Sequence, residues 1–270
     1  MESSQIKSRK IQGNNVKDGK LVRKKKKKDK FFKNSARLNR ILAGEEEMDY
    51  YTEEAFNQLR TNVAYSFADD GKTRVIGITS SMRGEGKSFV ACCVANSISK
   101  TGKKVLLIDG DLRLPTVSKK LRLVNYKGLS NLLTDSESDL SELVYTDVFG
   151  SVNVLTSGFI PPNPSELLGS ERMEQLVQEL SEQYDYLIFD LPPIGPVTDA
   201  LIMAKYMDGL MLVVRHEHTD TTALHDTIRQ ARMIGAKMLG FVYNGKYLSA
   251  GAYSNKYYRY KYSNQYAYRE

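Results

Sequence analysis

The stretch "RVIGITSSMRGEGKS", residues 74–88, decides how the rest of the chain is read. It starts as a short apolar, β-rich run and passes into a glycine-punctuated turn ending in Lys87 and Ser88. A helical pattern follows over residues 87–100. Strand, glycine turn and helix in that order aim backbone N–H groups at a helix N-terminus, where phosphate oxygens bind. Gly84 and Gly86 let the backbone curl around the phosphates, with Glu85 between them and Phe89 just beyond. Lys87 is expected to reach the β- and γ-phosphates, and the Ser88 hydroxyl to ligate Mg²⁺. Ser81 holds the place of the usual first glycine.

Working outward, five further runs have the same character: "KVLLID" (104–109), "VNVLT" (152–156), "YLIFD" (186–190), "GLMLVV" (209–214) and "LGFVY" (239–243). Helical patterns lie between most of them, at 87–100, 165–183, 198–206 and 219–234, and an amphipathic one precedes them in "YYTEEAFNQLRTNVAYSF" (50–67). Apolar strands alternating with helices predict an α/β fold, a mostly parallel sheet covered by helices on both faces. Two of the strands end on carboxylates, Asp109 with Asp111 just after it, and Asp190 before Pro192 and Pro193. Ligands of open α/β sheets bind at that strand edge. Three such carboxylates beside a phosphate loop predict a Mg-nucleotide site.

Charge is unevenly distributed. Residues 1–40 carry fifteen Lys/Arg against three acids, a net +12, leaving 24 against 29 and −5 in the remainder. The basic arm, with "RKKKKKDKFFK" at 23–33, suits either a solvated tail or an anionic surface, nucleic acid or membrane, the aromatic pair tilting the latter choice toward the membrane. No apolar run reaches the roughly 18 residues of a membrane span, and no signal-peptide core opens the chain. Cys92 and Cys93 are adjacent and form no disulfide framework, which fits a reducing cytoplasm. "RHEHT" (215–219) has two histidines without further ligands and reads as a strand-end loop. The organisation expected is a disordered arm over 1–47, one domain over 48–245, and a flexible tail over 246–270. That tail holds eight of the seventeen tyrosines.

The phosphate loop, the D-x-D-x-R of Asp109, Asp111 and Arg113, the D-x-P-P of Asp190 to Pro193 and the tyrosine-rich terminus together resemble the bacterial tyrosine kinases of capsule and exopolysaccharide synthesis. These kinases are related to the MinD/ParA ATPases, and the resemblance covers about residues 48–270. A partitioning ATPase of the MinD/ParA type is the alternative, but Met82 stands where those proteins usually carry a lysine. The resemblance implies ATP and Mg²⁺ as cofactors, with Lys87 and Ser88 on the β/γ-phosphates and the metal. It makes Asp109 the acceptor of the tyrosine proton, Asp111 and Asp190 supports of the metal, and Asn244 a residue facing the adenine. Its phosphoacceptors would be Tyr253, Tyr257, Tyr258, Tyr260, Tyr262, Tyr266 and Tyr268. Glu54 and Arg60 match an E-x-x-R-x-x-R motif of ring assembly, with Asn57 in place of the middle arginine, and Arg83 stands where the family usually has proline. As partners the family implies a transmembrane polysaccharide co-polymerase that activates the kinase, further copies in a ring, and a cognate tyrosine phosphatase. Its place is cytoplasmic, at the inner face of the membrane.

Overall fold

The computed structural model describes residues 40–42, 45–68, 70–135 and 137–245. Seven strands form one sheet in the order β3-β4-β2-β5-β1-β6-β7. They are β1 (Arg74–Ser80), β2 (Val105–Asp109), β3 (Val144–Phe149), β4 (Val152–Leu155), β5 (Tyr186–Asp190), β6 (Gly209–Arg215) and β7 (Met238–Asn244). Every pairing is parallel except that of β3 with β4. The central strands are largely apolar and buried along almost their whole length because helices cover both faces, as parallel crossovers require.

The nine labelled helices are α1 (Tyr50–Tyr65), α2 (Lys87–Ser99), α3 (Val117–Leu121), α4 (Leu129–Thr134), α5 (Leu140–Leu143), α6 (Pro164–Leu168), α7 (Glu171–Ser181), α8 (Asp199–Met203) and α9 (Thr221–Met233). On one face α2 is buried along nearly its whole length, with α1 outside it through an edge-on Phe56–Phe89 contact at 6.1 Å. Leu42, N-terminal to the boundary drawn from composition, packs into the same core. The opposite core gathers Leu129, Leu132, Leu168, Met173, Leu176 and Leu180 against Leu106, Ile108, Leu187 and Phe189.

The six predicted strands are present. The helix predicted over 165–183 is two helices, because the chain breaks at Gly169 and Ser170 restarts it by accepting from the Met173 amide at 3.2 Å. The pattern over 198–206 is likewise α8 followed by a 3₁₀ turn, Ala204–Tyr206. β3, α3, α4 and α5 have no counterpart among the runs that the sequence shows. Each is six residues or fewer, too short for a period to show. Among the described residues no helix is long and apolar enough to cross a membrane.

Candidate active site

Parallel pairing carries the C-terminal ends of β1, β2 and β5 to one edge of the sheet. Asp109 lies directly opposite Asp190 in the β2–β5 register. The loop after β1 arrives at the same edge. Gly84 and Gly86 have φ of +83° and +97°, left-handed values that only glycine adopts without strain. A Cβ on Gly86 would stand 2.0 Å from Asn244 Nδ2, so the position excludes a side chain sterically as well. Among the described residues the amides of Gly84, Glu85 and Gly86 have no hydrogen-bond acceptor.

Lys87 Nζ lies 3.1 Å from Asp111 Oδ2 and 3.5 Å from Asp190 Oδ1. Burial disfavours its charge, but the fields of Asp190, Asp111 and Asp109 outweigh that and hold the ammonium above its ordinary pKa. Asp109 is fully buried: its Oδ2 accepts from the Thr116 and Val117 amides at 3.2 and 3.0 Å, and its Oδ1 from Asp111 at 3.3 Å. Burial first, and then the Asp190 charge, push its carboxyl up to about 7. Burial also raises Asp190, against the pull of Lys87. Asp111 Oδ1 accepts from the Leu114 amide at 3.0 Å.

Two buried side-chain atoms here, Asp190 Oδ2 and Ser81 Oγ, have no hydrogen-bond partner among the described residues. An orphaned carboxylate oxygen, a serine hydroxyl at a helix N-terminus and unfilled loop amides fit a Mg²⁺–nucleotide, whose ligands are hard oxygens. Among the described residues no three His, Cys, Asp or Glu side chains form a ready-made metal cage.

The remaining sequence candidates fall in varied places. Ser88 Oγ shares a 2.8 Å hydrogen bond with Thr116 Oγ1, a residue the sequence reading missed. No short motif contains Thr116; only the fold of the loop after β2 brings it to Ser88. The carboxylate of Glu85 points inward, accepting from the Met82 amide at 2.9 Å and from the Thr219 hydroxyl. Phe89 packs under α1. Asn244 sits against the loop, its Nδ2 donating to the Glu85 carbonyl at 2.8 Å. Arg113 turns away to grip buried Asp199 (2.7 and 3.1 Å) and Ser165 (2.8 Å), fixing the chain after β2. Arg60 donates to the Ser97 carbonyl at 2.8 Å and to Asn57 Oδ1 at 3.2 Å, while Asn57 Nδ2 reaches Glu54 at 3.3 Å. The three motif positions are thus linked within one subunit. Cys92 and Cys93 are buried core residues whose thiols burial pushes up, so neither is a nucleophile. The seven candidate tyrosines and residues 1–39 of the basic arm lie outside the described residues, whereas the arm's residues 40–42 are helical and Leu42 is buried.

Residues 73–237 match a family described as AAA domain. The tyrosine-protein kinase YwqD of Bacillus subtilis (strain 168) is 38% identical over 214 residues, which are 79% of this chain and 90% of that one. The chain belongs to the bacterial tyrosine kinase family. The kinase also matches the tyrosine-protein kinase ptk of Acinetobacter johnsonii, at 32% identity over 74% of its own length but only 27% of that protein's. In structure it resembles the chimerical protein CapA2B2 with a TM-score of 0.68 at 34% identity, over 75% of the kinase and 88% of that chain. MinD of Pyrococcus horikoshii, complexed with Mg-ADP, has a TM-score of 0.52 over 63% of the kinase and 69% of MinD. At 24% identity that likeness shows a shared fold alone.

Proposed function

We propose that this kinase transfers the γ-phosphoryl group of ATP to tyrosines of its own C-terminal cluster, from the tail of one subunit into the site of another. The observation that carries the reading is the convergence of Lys87, Ser88, Asp109, Asp111 and Asp190 on one sheet edge beside unfilled loop amides. Bound Mg²⁺ would neutralise phosphate charge, held by Ser88 with Asp111 and Asp190. The loop amides bind the phosphates, and Lys87, now paired with two carboxylates, turns to the β- and γ-oxygens. The bond from the γ-phosphorus to the β–γ bridging oxygen breaks and one to the tyrosine oxygen forms. Asp109 takes the phenolic proton, which a group of ordinary pKa near 10 does not release unaided at neutral pH.

The tyrosines Tyr253, Tyr257, Tyr258, Tyr260, Tyr262, Tyr266 and Tyr268 follow shortly after Asn244, the end of β7 beside the phosphate loop. Several phosphates, each adding roughly −1.5 to −2 charges, would reverse the tail's net +4. Repulsion would then loosen an oligomer and its hold on a transmembrane activator, and a phosphatase would restore it. The motifs shared with the bacterial tyrosine kinases of capsule and exopolysaccharide synthesis support a role in polysaccharide polymerisation and export, with the kinase held at the inner membrane face. The deciding experiment mixes a Lys87→Met chain with an active chain cut after residue 245, in Mg-ATP. Phosphotyrosine on the Lys87→Met chain, mapped beyond Tyr247, is expected; an unlabelled mixture, or label on Tyr50 or Tyr65, overturns transfer to the tail.

A further inference from the structure

The phosphate loop is held from behind by side chains, most of them far from it in the sequence. Four successive carbonyls of the loop each accept a side-chain hydrogen bond. Ser80 Oγ donates to Met82 O at 2.8 Å, His218 Nε2 to Arg83 O at 3.1 Å, Arg215 Nη1 to Gly84 O at 2.6 Å, and Asn244 Nδ2 to Glu85 O at 2.8 Å. Three of the four donors come from outside the loop, from the end of β6, the turn after it and the end of β7. That turn is itself braced. Thr219 Oγ1 accepts from the Arg215 amide at 2.7 Å and donates to the Glu85 carboxylate, which in turn accepts from the Met82 amide. The His216 amide donates to the Asn244 carbonyl at 2.8 Å, joining the turn to β7.

Successive peptide groups tied down by their carbonyls keep their N–H groups facing the other way. Here the other way is the phosphate side, where the amides of Gly84, Glu85 and Gly86 have no acceptor among the described residues. A loop with two left-handed glycines has much conformational freedom to lose on binding. A loop already ordered from its carbonyl side loses less, and so binds tighter. We propose that residues 215–219 and Asn244 form a clamp that preorganises the phosphate loop, with Arg215 and His218 as positioning residues for nucleotide binding. This rests on the Mg-ATP reading above and assigns "RHEHT" a task within it.

The test measures Mg-ADP affinity by calorimetry for the whole chain and for Arg215→Ala, His218→Ala, the double variant, Arg215→Lys and Lys87→Met, with thermal melts taken without nucleotide. Loss of the Arg215 bond is expected to weaken affinity about tenfold, the effect of one hydrogen bond from a charged donor. Arg215→Lys should recover most of that, since an ammonium can still donate to the Gly84 carbonyl. The nucleotide-free melting temperatures should stay close to that of the unaltered chain, because the Arg215 and His218 contacts with the loop lie at the surface. Wild-type affinity in both Arg215→Ala and the double variant overturns the clamp. So does a loss that Arg215→Lys fails to recover and that tracks a fall in melting temperature. If the unaltered chain binds no Mg-ADP, or Lys87→Met binds it equally well, the nucleotide reading itself fails.

Discussion

Asp109 shows at the scale of one residue how a site stores unfavourable charge. In an unfolded chain its carboxyl has the ordinary value of 3.8, and in the fold burial and Asp190 opposite push it up to about 7. Between those values the folded protein keeps a proton that the unfolded chain has released. This group's contribution to stability is therefore full below about 3.8 and is lost as pH rises through about 7. Asp109→Asn removes the penalty and should raise the melting temperature without nucleotide or Mg²⁺, by more at pH 8 than at pH 5. The same variant should transfer phosphate roughly 10²-fold more slowly while still binding nucleotide, if a general base is lost. A melting temperature that moves equally at both pH values would show that Asp109 is not carrying the charge penalty. The identity of the three carboxylates was legible in the sequence, since apolar runs that stop on Asp announce strand ends. Their mutual fields were not, because the β2–β5 register sets Asp109 across from Asp190.

Among the elements, the long helices and central strands were readable because each spans several periods of its pattern. Short elements were not, and neither was the break between α6 and α7. Ser170, whose hydroxyl caps α7 at the Met173 amide, shows what that break requires. Ser170→Ala should cost about 1 kcal/mol and lower the melting temperature by about 2–4 °C. Nucleotide affinity should be unchanged, since α7 lies on the face away from α2. A loss of affinity in the folded variant would mean that α7 is coupled to the site. Gly86 is the opposite case. Gly86→Ala combines a φ of +97° with a Cβ placed 2.0 Å from Asn244 Nδ2, and it should abolish nucleotide binding while most of the sheet stays folded.

For the whole molecule, the uneven charge is the feature with a consequence. An arm of net +12 attached to a body of net −5 should bring the kinase to anionic lipid. Deleting residues 1–40 should release it from vesicles of acidic phospholipid, and added salt should release the intact chain in the same way. Salt-insensitive binding, or binding that survives the deletion, would remove the arm from that role.

The sequence by itself determined the α/β class, the phosphate loop and the carboxylates that face it. Those features are local: a period of two or 3.6, a pair of glycines before Lys-Ser, an acid at the end of an apolar run. Only the tertiary structure decided which residues stand behind the loop. Arg215, His218, Thr219 and Asn244 are about 130 to 160 positions from the loop they hold, and Thr116 reaches Ser88 from 28 positions away. The same packing turned Arg60 inward to Ser97. Hydrogen bonds between segments brought together by strand order leave no period or spacing in the chain, so no motif carries them.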